Sequence, residues 1–261
     1  MGMLRRFGWL PDPPSPKDHD AAPKPRTAGP LPASVSLANQ ILSILDQGNL
    51  GSCVAQATAQ ALRASLVHQG VVVPTLASRS MIYYLARAED GTTQEDAGTN
   101  LRQAFDSLRI FGYCPEVNWP YIDSGDTFKR MPSAEALNLA YDQRGTTGFS
   151  RITSEGNARV YDVKSALAAG HCVVFGTEVG LPFCDYMGDP ATVLNPPAKS
   201  EGGHALTIAG YDAAGFRVVN SWNEGWGARG WCTFSPAYIA WSGSMDFWIV
   251  DAAPNFSRGV I

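Results

Sequence analysis

The stretch CVAQATAQALRASLVHQ (53–69) constrains this chain more than any other. It is dense in Ala, Leu and Gln, all good helix formers. Its apolar residues Val54, Ala57, Ala61, Ala64 and Leu66 spread over a broad face, so the helix belongs inside a fold rather than on top of one. Ser52 is placed to cap its start and Gly70 to end it. Directly ahead stands DQGNLGS (46–52), where Gly48 and Gly51 let the backbone turn tightly into the helix and let another chain approach.

Four more stretches read as helices: MIYYLARAE (81–89), TNLRQAFDSLRI (99–110), SAEALNLAYDQR (133–144) and VYDVKSALAAG (160–170). Thr99 is the expected cap of the second, and Gly112 its end. The later part of the chain changes character. HCVVFGTEV (171–179), HALTIAGYD (204–212), FRVVNSW (216–222) and DFWIVD (246–251) are short β-branched or aromatic runs punctuated by Gly and Asp, which read as strands. Asp212 to Gly215 is a hairpin signal. The expected fold class is α+β in three parts: an extended Pro-rich arm (1–30), a mainly helical lobe (31–145), and a mainly β lobe (146–261), antiparallel and barrel-like. A cleft between two such lobes is a common place for a binding site.

Composition excludes several classes. Hydrophobic residues make up 45% of the 261 and charged residues 17%, enough to bury a sizeable core. A net charge of -4 without a basic run argues against nucleic acid or an anionic membrane as partner. No apolar stretch approaches the ~20 residues that span a bilayer, and Pro11, Pro13, Pro14 and Pro16 interrupt any leader-like run. The five cysteines, at 53, 114, 172, 184 and 232, form no CxxC pair and read as reduced thiols rather than a disulfide framework or zinc site. The expectation is a cytoplasmic protein needing no metal or cofactor, although leaderless export would leave the same sequence.

A cysteine acts as nucleophile through its thiolate, and a helix start stabilises negative charge there. Cys53 holds that position. Gln47, six residues earlier, offers an amide N–H₂ that can face a developing oxyanion beside the Cys53 N–H. A thiolate also needs a base, and of four histidines His204 stands out: it follows Gly202-Gly203 and opens an apolar strand. His19 falls in the arm, His68 at a helix end, and His171 between a helix and a strand. Asn220, followed by Ser221 and Trp222, is the candidate for orienting the imidazole, with Trp222 shielding that contact. A plain hairpin about 212–215 sets Asn220 opposite about residue 207, ~10 Å along the strand from His204; a bulge or twist must close the gap. Taken singly, each of these residues also has a packing explanation.

Together they resemble the papain-like cysteine peptidases. Gln47-Gly48-x-x-Gly51-Ser52-Cys53 is similar to that family's nucleophile motif, Gly203-His204-Ala205 to its histidine motif, and Asn220-Ser221-Trp222 with Gly225-Trp226-Gly227 to its asparagine motif. The resemblance runs from about residue 30 to 250 and implies a helical lobe and a β lobe flanking the active cleft. It implies Cys53 as nucleophile, His204 as general acid/base, Asn220 as orienting partner, Gln47 as oxyanion donor, and a peptide or protein substrate. Gly98 in DAGTN (96–100), Gly203, Ala205 and Trp222 would line the substrate. GWLPDPPSPKDHD near the start is similar to bacterial members with short N-terminal regions. Val54 departs from the tryptophan usual after the nucleophile, and Leu50 from a common disulfide cysteine. The arm is shorter than the family's usual helical propeptide, and its extended composition suggests a small latch across the cleft. Two other readings stay open: an acyl transferase that passes the thioester to an amine, and a non-catalytic peptide-binding module.

Overall fold

The computed structural model describes residues 6–15, 30–72, 74–145 and 147–252. The expected arm can therefore be followed only over 6–15 and at residue 30; His19 and the rest of it lie outside the described residues. In chain order the elements are β1 (Val35–Ser36), α1 (Cys53–His68), α2 (Arg79–Glu89), α3 (Leu101–Phe111), α4 (Ala134–Asp142), β2 (Thr147–Ile152), α5 (Gly156–Ala168), β3 (Val173–Val179), α6 (Leu181–Cys184), β4 (Gly202–Tyr211), β5 (Phe216–Val219), β6 (Trp231–Phe234), α7 (Pro236–Ala240) and β7 (Ser244–Ala252). The strands form one antiparallel sheet in the order β2-β7-β3-β4-β5-β6, with β1 added to β4. The α+β class stands, but the sheet is open: it is not closed into a barrel.

α1 is the axis of the molecule, as its composition dictates. Every residue from Cys53 to Leu66 is buried, between α2 and α3 on one side and β4 and β7 on the other. The alanines at 55, 57, 59, 61 and 64 let these neighbours approach closely, while Leu62 and Leu66 each contribute about 1.5–3 kcal/mol by leaving water. Several of its buried polar groups find partners inside the fold. Arg63 donates to the Ser43 carbonyl and hydroxyl and to Gln60 Oε1, and Gln56 Oε1 accepts from Arg79. A second apolar cluster packs on the sheet and includes Phe175, Phe234 and Phe247.

Two caps differ from expectation. Ser52 stands at the start of α1, yet its hydroxyl is 2.6 Å from the Tyr121 hydroxyl and makes no capping bond. For α3 the cap is Asn100, whose Oδ1 accepts from the Gln103 N–H at 2.9 Å, while Thr99 donates instead to the Gln103 side chain. Gly112, at φ 78°, closes α3 as expected. Strands β2 and β6 were not legible in the sequence. TGFSRI has only Phe149 and Ile152 as large apolar residues, out of alternation, and WCTF is only four residues long; β2 exists because β7 pairs with it residue for residue, and β6 because β5 does.

Candidate active site

α1 delivers Cys53 to the head of the helix, and β4 delivers His204 from the sheet. The Cys53 sulfur accepts from the backbone N–H of Ala205, the residue after His204, so the two elements meet at this point. The imidazole is wholly buried, with Trp222 tilted against it at a ring distance of 4.9 Å. His204 Nε2 lies 2.8 Å from Asn220 Oδ1. That oxygen also accepts from the Ser221 N–H at 2.8 Å, which identifies it as the carbonyl oxygen of the amide. Nε2 must therefore be the donor, and the neutral ring keeps Nδ1 as its basic nitrogen.

The gap left by a plain hairpin is closed by a bulge. Tyr211 faces Phe216, but Thr207 faces Val219, because β4 carries one extra residue at Ala209–Gly210. Continuing the pairing sets Asn220 opposite Leu206 rather than residue 207. The shift shortens the separation from His204 and changes parity, so both side chains emerge on one face of the sheet.

Gln47 is fixed in the same way. Its Oε1 accepts from the Ser221 hydroxyl at 2.9 Å and from the Trp222 indole N–H at 3.1 Å. The indole can only donate, so the amide N–H₂ points the other way, to the carbonyls of Leu50 and Arg6, both at 2.9 Å. Ser221 thus joins the site, although sequence reasoning gave it no role; its place beside Asn220 was the available signal. His68 and His171 pack against each other at 4.9 Å between ring centroids, at the far end of α1 from Cys53.

The cleft is occupied by the arm itself. Gly8 lies against Gly51 and Gly98 so closely that any Cβ there would overlap the backbone, and its backbone hydrogen-bonds the Cys53 sulfur. The Thr99 N–H donates to the Gly8 carbonyl at 2.9 Å, the Leu10 N–H to the Thr99 carbonyl at 3.0 Å, and the Trp9 N–H to the Gly203 carbonyl at 3.1 Å. The expected substrate-backbone role of Gly98 is not what the arm uses: Gly98 gives its own N–H to the Tyr83 hydroxyl, and Thr99 makes the pairing. Gly203 and Ala205 do lie at the cleft, the first on Trp9 and the second on the sulfur. The Trp9 ring fills a buried slot over Gly176 and Gly203, where an added methyl would collide with it. A lone glycine within a strand, as in VVFGTEV, is the sequence signal for such a close approach. Phe7 covers His204 and Trp222, with ring centroids 6.1 Å from each.

Covering the sulfur has a chemical consequence. Burial pushes the Cys53 thiol up to about 11, against the opposing N–H groups of Ala205, Gly8 and Val54. With the arm in place Cys53 is therefore a thiol at neutral pH, whatever its helix position offers.

The fold and the cleft are those of the papain-like hydrolases. The family described as "Papain family cysteine protease" matches residues 31–243. An uncharacterised peptidase C1-like protein of Acanthamoeba polyphaga mimivirus is 31% identical over 221 residues, covering 81% of this chain and 70% of that protein. Xylellain, a cysteine protease from Xylella fastidiosa, superposes with a TM-score of 0.85 at 28% identity, over 97% of this chain and 100% of that one. A digestive procathepsin L 3 from Tenebrio molitor shares the fold at TM-score 0.69 and 19% identity, over 89% and 73% of the two chains. This chain belongs to the papain family of cysteine proteases.

Proposed function

We propose that the protein hydrolyses peptide bonds through an acyl-thioester on Cys53, and that its N-terminal arm holds the cleft shut until displaced. One observation carries the first part. A peptide carbonyl, that of Arg6, already rests 2.9 Å from Gln47 Nε2, two residues before the Gly8 backbone that meets the Cys53 sulfur. It stands in for the carbonyl of a substrate. With the arm gone, the helix start favours a thiolate and His204 Nδ1 takes the proton. The sulfur then attacks the carbonyl carbon while Gln47 and the Cys53 N–H hold the oxyanion. His204 returns the proton to the leaving amine, and a water activated by the same ring releases the acid. Asn220 keeps the ring in the required tautomer throughout.

Removing the Gln47 donor by Gln47→Ala should lower kcat by about 10²–10³ with less effect on KM, since the oxyanion exists only near the transition state. Steady-state kinetics on one peptide check this; a loss confined to KM would reassign Gln47 to ground-state binding.

The latch carries a pH dependence. In the docked arm the Asp12 carboxylate accepts from the Arg102 N–H and the Trp248 indole, and the Asp12 N–H donates to Asp246, which is also paired with Arg151. Burial raises both carboxyls, Asp246 to about 6 with the Asp12 charge adding to the rise. A carboxyl raised on docking binds its proton more tightly in the closed form, so closure is strongest in acid and weakens as pH rises through about 6. Hydrogen exchange of residues 6–12, corrected for intrinsic rates, should show the arm opening several-fold more at pH 7 than at pH 5. Asp12→Asn should flatten that response; an arm that loosens in acid would contradict the assignment.

A further inference from the structure

Just ahead of Gly8, whose backbone meets the Cys53 sulfur, Arg6 and Phe7 turn to different walls of the cleft. The Arg6 carbonyl lies on Gln47 Nε2, where the scissile carbonyl belongs under the reading above. From there its guanidinium turns to Asp96, Nη1 to Oδ2 at 2.8 Å, at the wall of a cavity of about 730 Å³. The Phe7 ring goes the other way, over His204 and Trp222.

The cavity is built for positive charge. Glu95, Asp96, Asp123 and Asp126 line it, and the only resident ammonium among its lining residues, Lys129, is paired with Asp126 at 2.9 Å. Asp96 is held rigidly. Its carboxylate accepts from the Gly51 N–H at 3.0 Å and from the Tyr83 hydroxyl at 2.6 Å. Burial and the Asp96 charge push the Tyr83 hydroxyl far up, so it remains a neutral donor. Arg87, behind Tyr83, directs its N–H groups to the carbonyls of Thr92, Thr93, Glu95 and Phe128. Because Gly51 lies two residues before Cys53, the anion is tied to the nucleophile's own loop. The Asp96 side chain is 4% exposed against 62% for Arg6. A carboxylate that has given up its water needs a cation with directed N–H groups to replace it.

We infer that Asp96 selects substrates in which arginine or lysine supplies the scissile carbonyl, the cationic side chain entering this acidic cavity. The inference rests on the peptidase reading and assigns the substrate class of that site. Arg6 is then the arm's imitation of the preferred residue.

The test uses the full chain and matched fluorogenic peptides that differ at that one residue, arginine against its uncharged isostere citrulline. A closed arm multiplies every kcat/KM by the same open fraction, so the arginine-to-citrulline ratio reports on the open site alone. We expect a ratio of about 10 to 100, the range for a hydrogen bond to a charged partner. Asp96→Asn keeps an oxygen for Gly51 and Tyr83 but loses the charge, and should collapse the ratio to within about threefold of unity. A wild-type ratio near one overturns the inference, and needs no variant to fold. So does a variant that slows both peptides equally and leaves the ratio intact. Turnover without arginine preference sinks this assignment only; no turnover of any peptide, with Cys53 unreactive to a thiol-directed epoxide, sinks the peptidase reading as well.

Discussion

Cys53→Ala protein should turn over peptides at least about 10⁴-fold more slowly than the parent, a loss of the size seen when a nucleophile is removed from a residue set that acts as a unit. In the proposed mechanism the acyl-thioester splits one difficult step into two, and His204, Asn220 and Gln47 have no other thiol to serve. Among the other cysteines, Cys114, Cys172 and Cys232 are buried in the core, and Cys184 lies on α6 with its thiol raised to about 11 by burial. The substitution removes one sulfur from a helix already rich in alanine, so a stability change within about 1 kcal/mol is expected. Thermal unfolding and peptide turnover, measured on the same preparation, check both halves. Undiminished turnover by a folded variant would falsify the assignment of the nucleophile.

The second large effect is expected at a residue remote from bond-making. Trp9 buries its whole ring in the slot over Gly176 and Gly203 and anchors the arm across the sulfur. Trp9→Ala should weaken docking by about 3 kcal/mol, the lower end for losing a buried tryptophan, which is roughly a 10²-fold rise in the open fraction. Cys53 alkylation should accelerate by about that factor at neutral pH, because opening rehydrates the sulfur and reverses the burial that holds its thiol at about 11. The remaining arm contacts, Arg6 with Asp96 and Asp12 with Arg102, Trp248 and Asp246, set how far the gain can go before the arm is fully free. An alkylation rate unchanged by Trp9→Ala would mean that the arm does not control access.

Residues whose meaning is local could be read before any fold was known. The alanine-rich run after Cys53 is a helix wherever it is placed, and its breadth of apolar face demands burial. Gln47, Cys53, His204 and Asn220 stand in short motifs, and the tertiary structure gathers all four around one cleft. The caps show where local reading stops: Ser52 has the right side chain at the right place, but Tyr121, from a distant loop, takes its hydroxyl. Strands β2 and β6 show the same limit, since each owes its form to a partner rather than to its own pattern.

From its sequence alone this protein determined an α+β chain with a thiol at the head of a buried helix and an imidazole opening a strand, because helix propensity, turn chemistry and hydrophobic period act over a few neighbouring residues. Only the tertiary structure decided that a bulge at Ala209–Gly210 brings Asn220 onto the face of His204, that Asp96 holds the nucleophile's loop beside an acidic cavity, and that the arm fills the cleft. Those outcomes depend on strand register and on contacts between residues dozens of positions apart, whose free energy exists only once the intervening chain has folded.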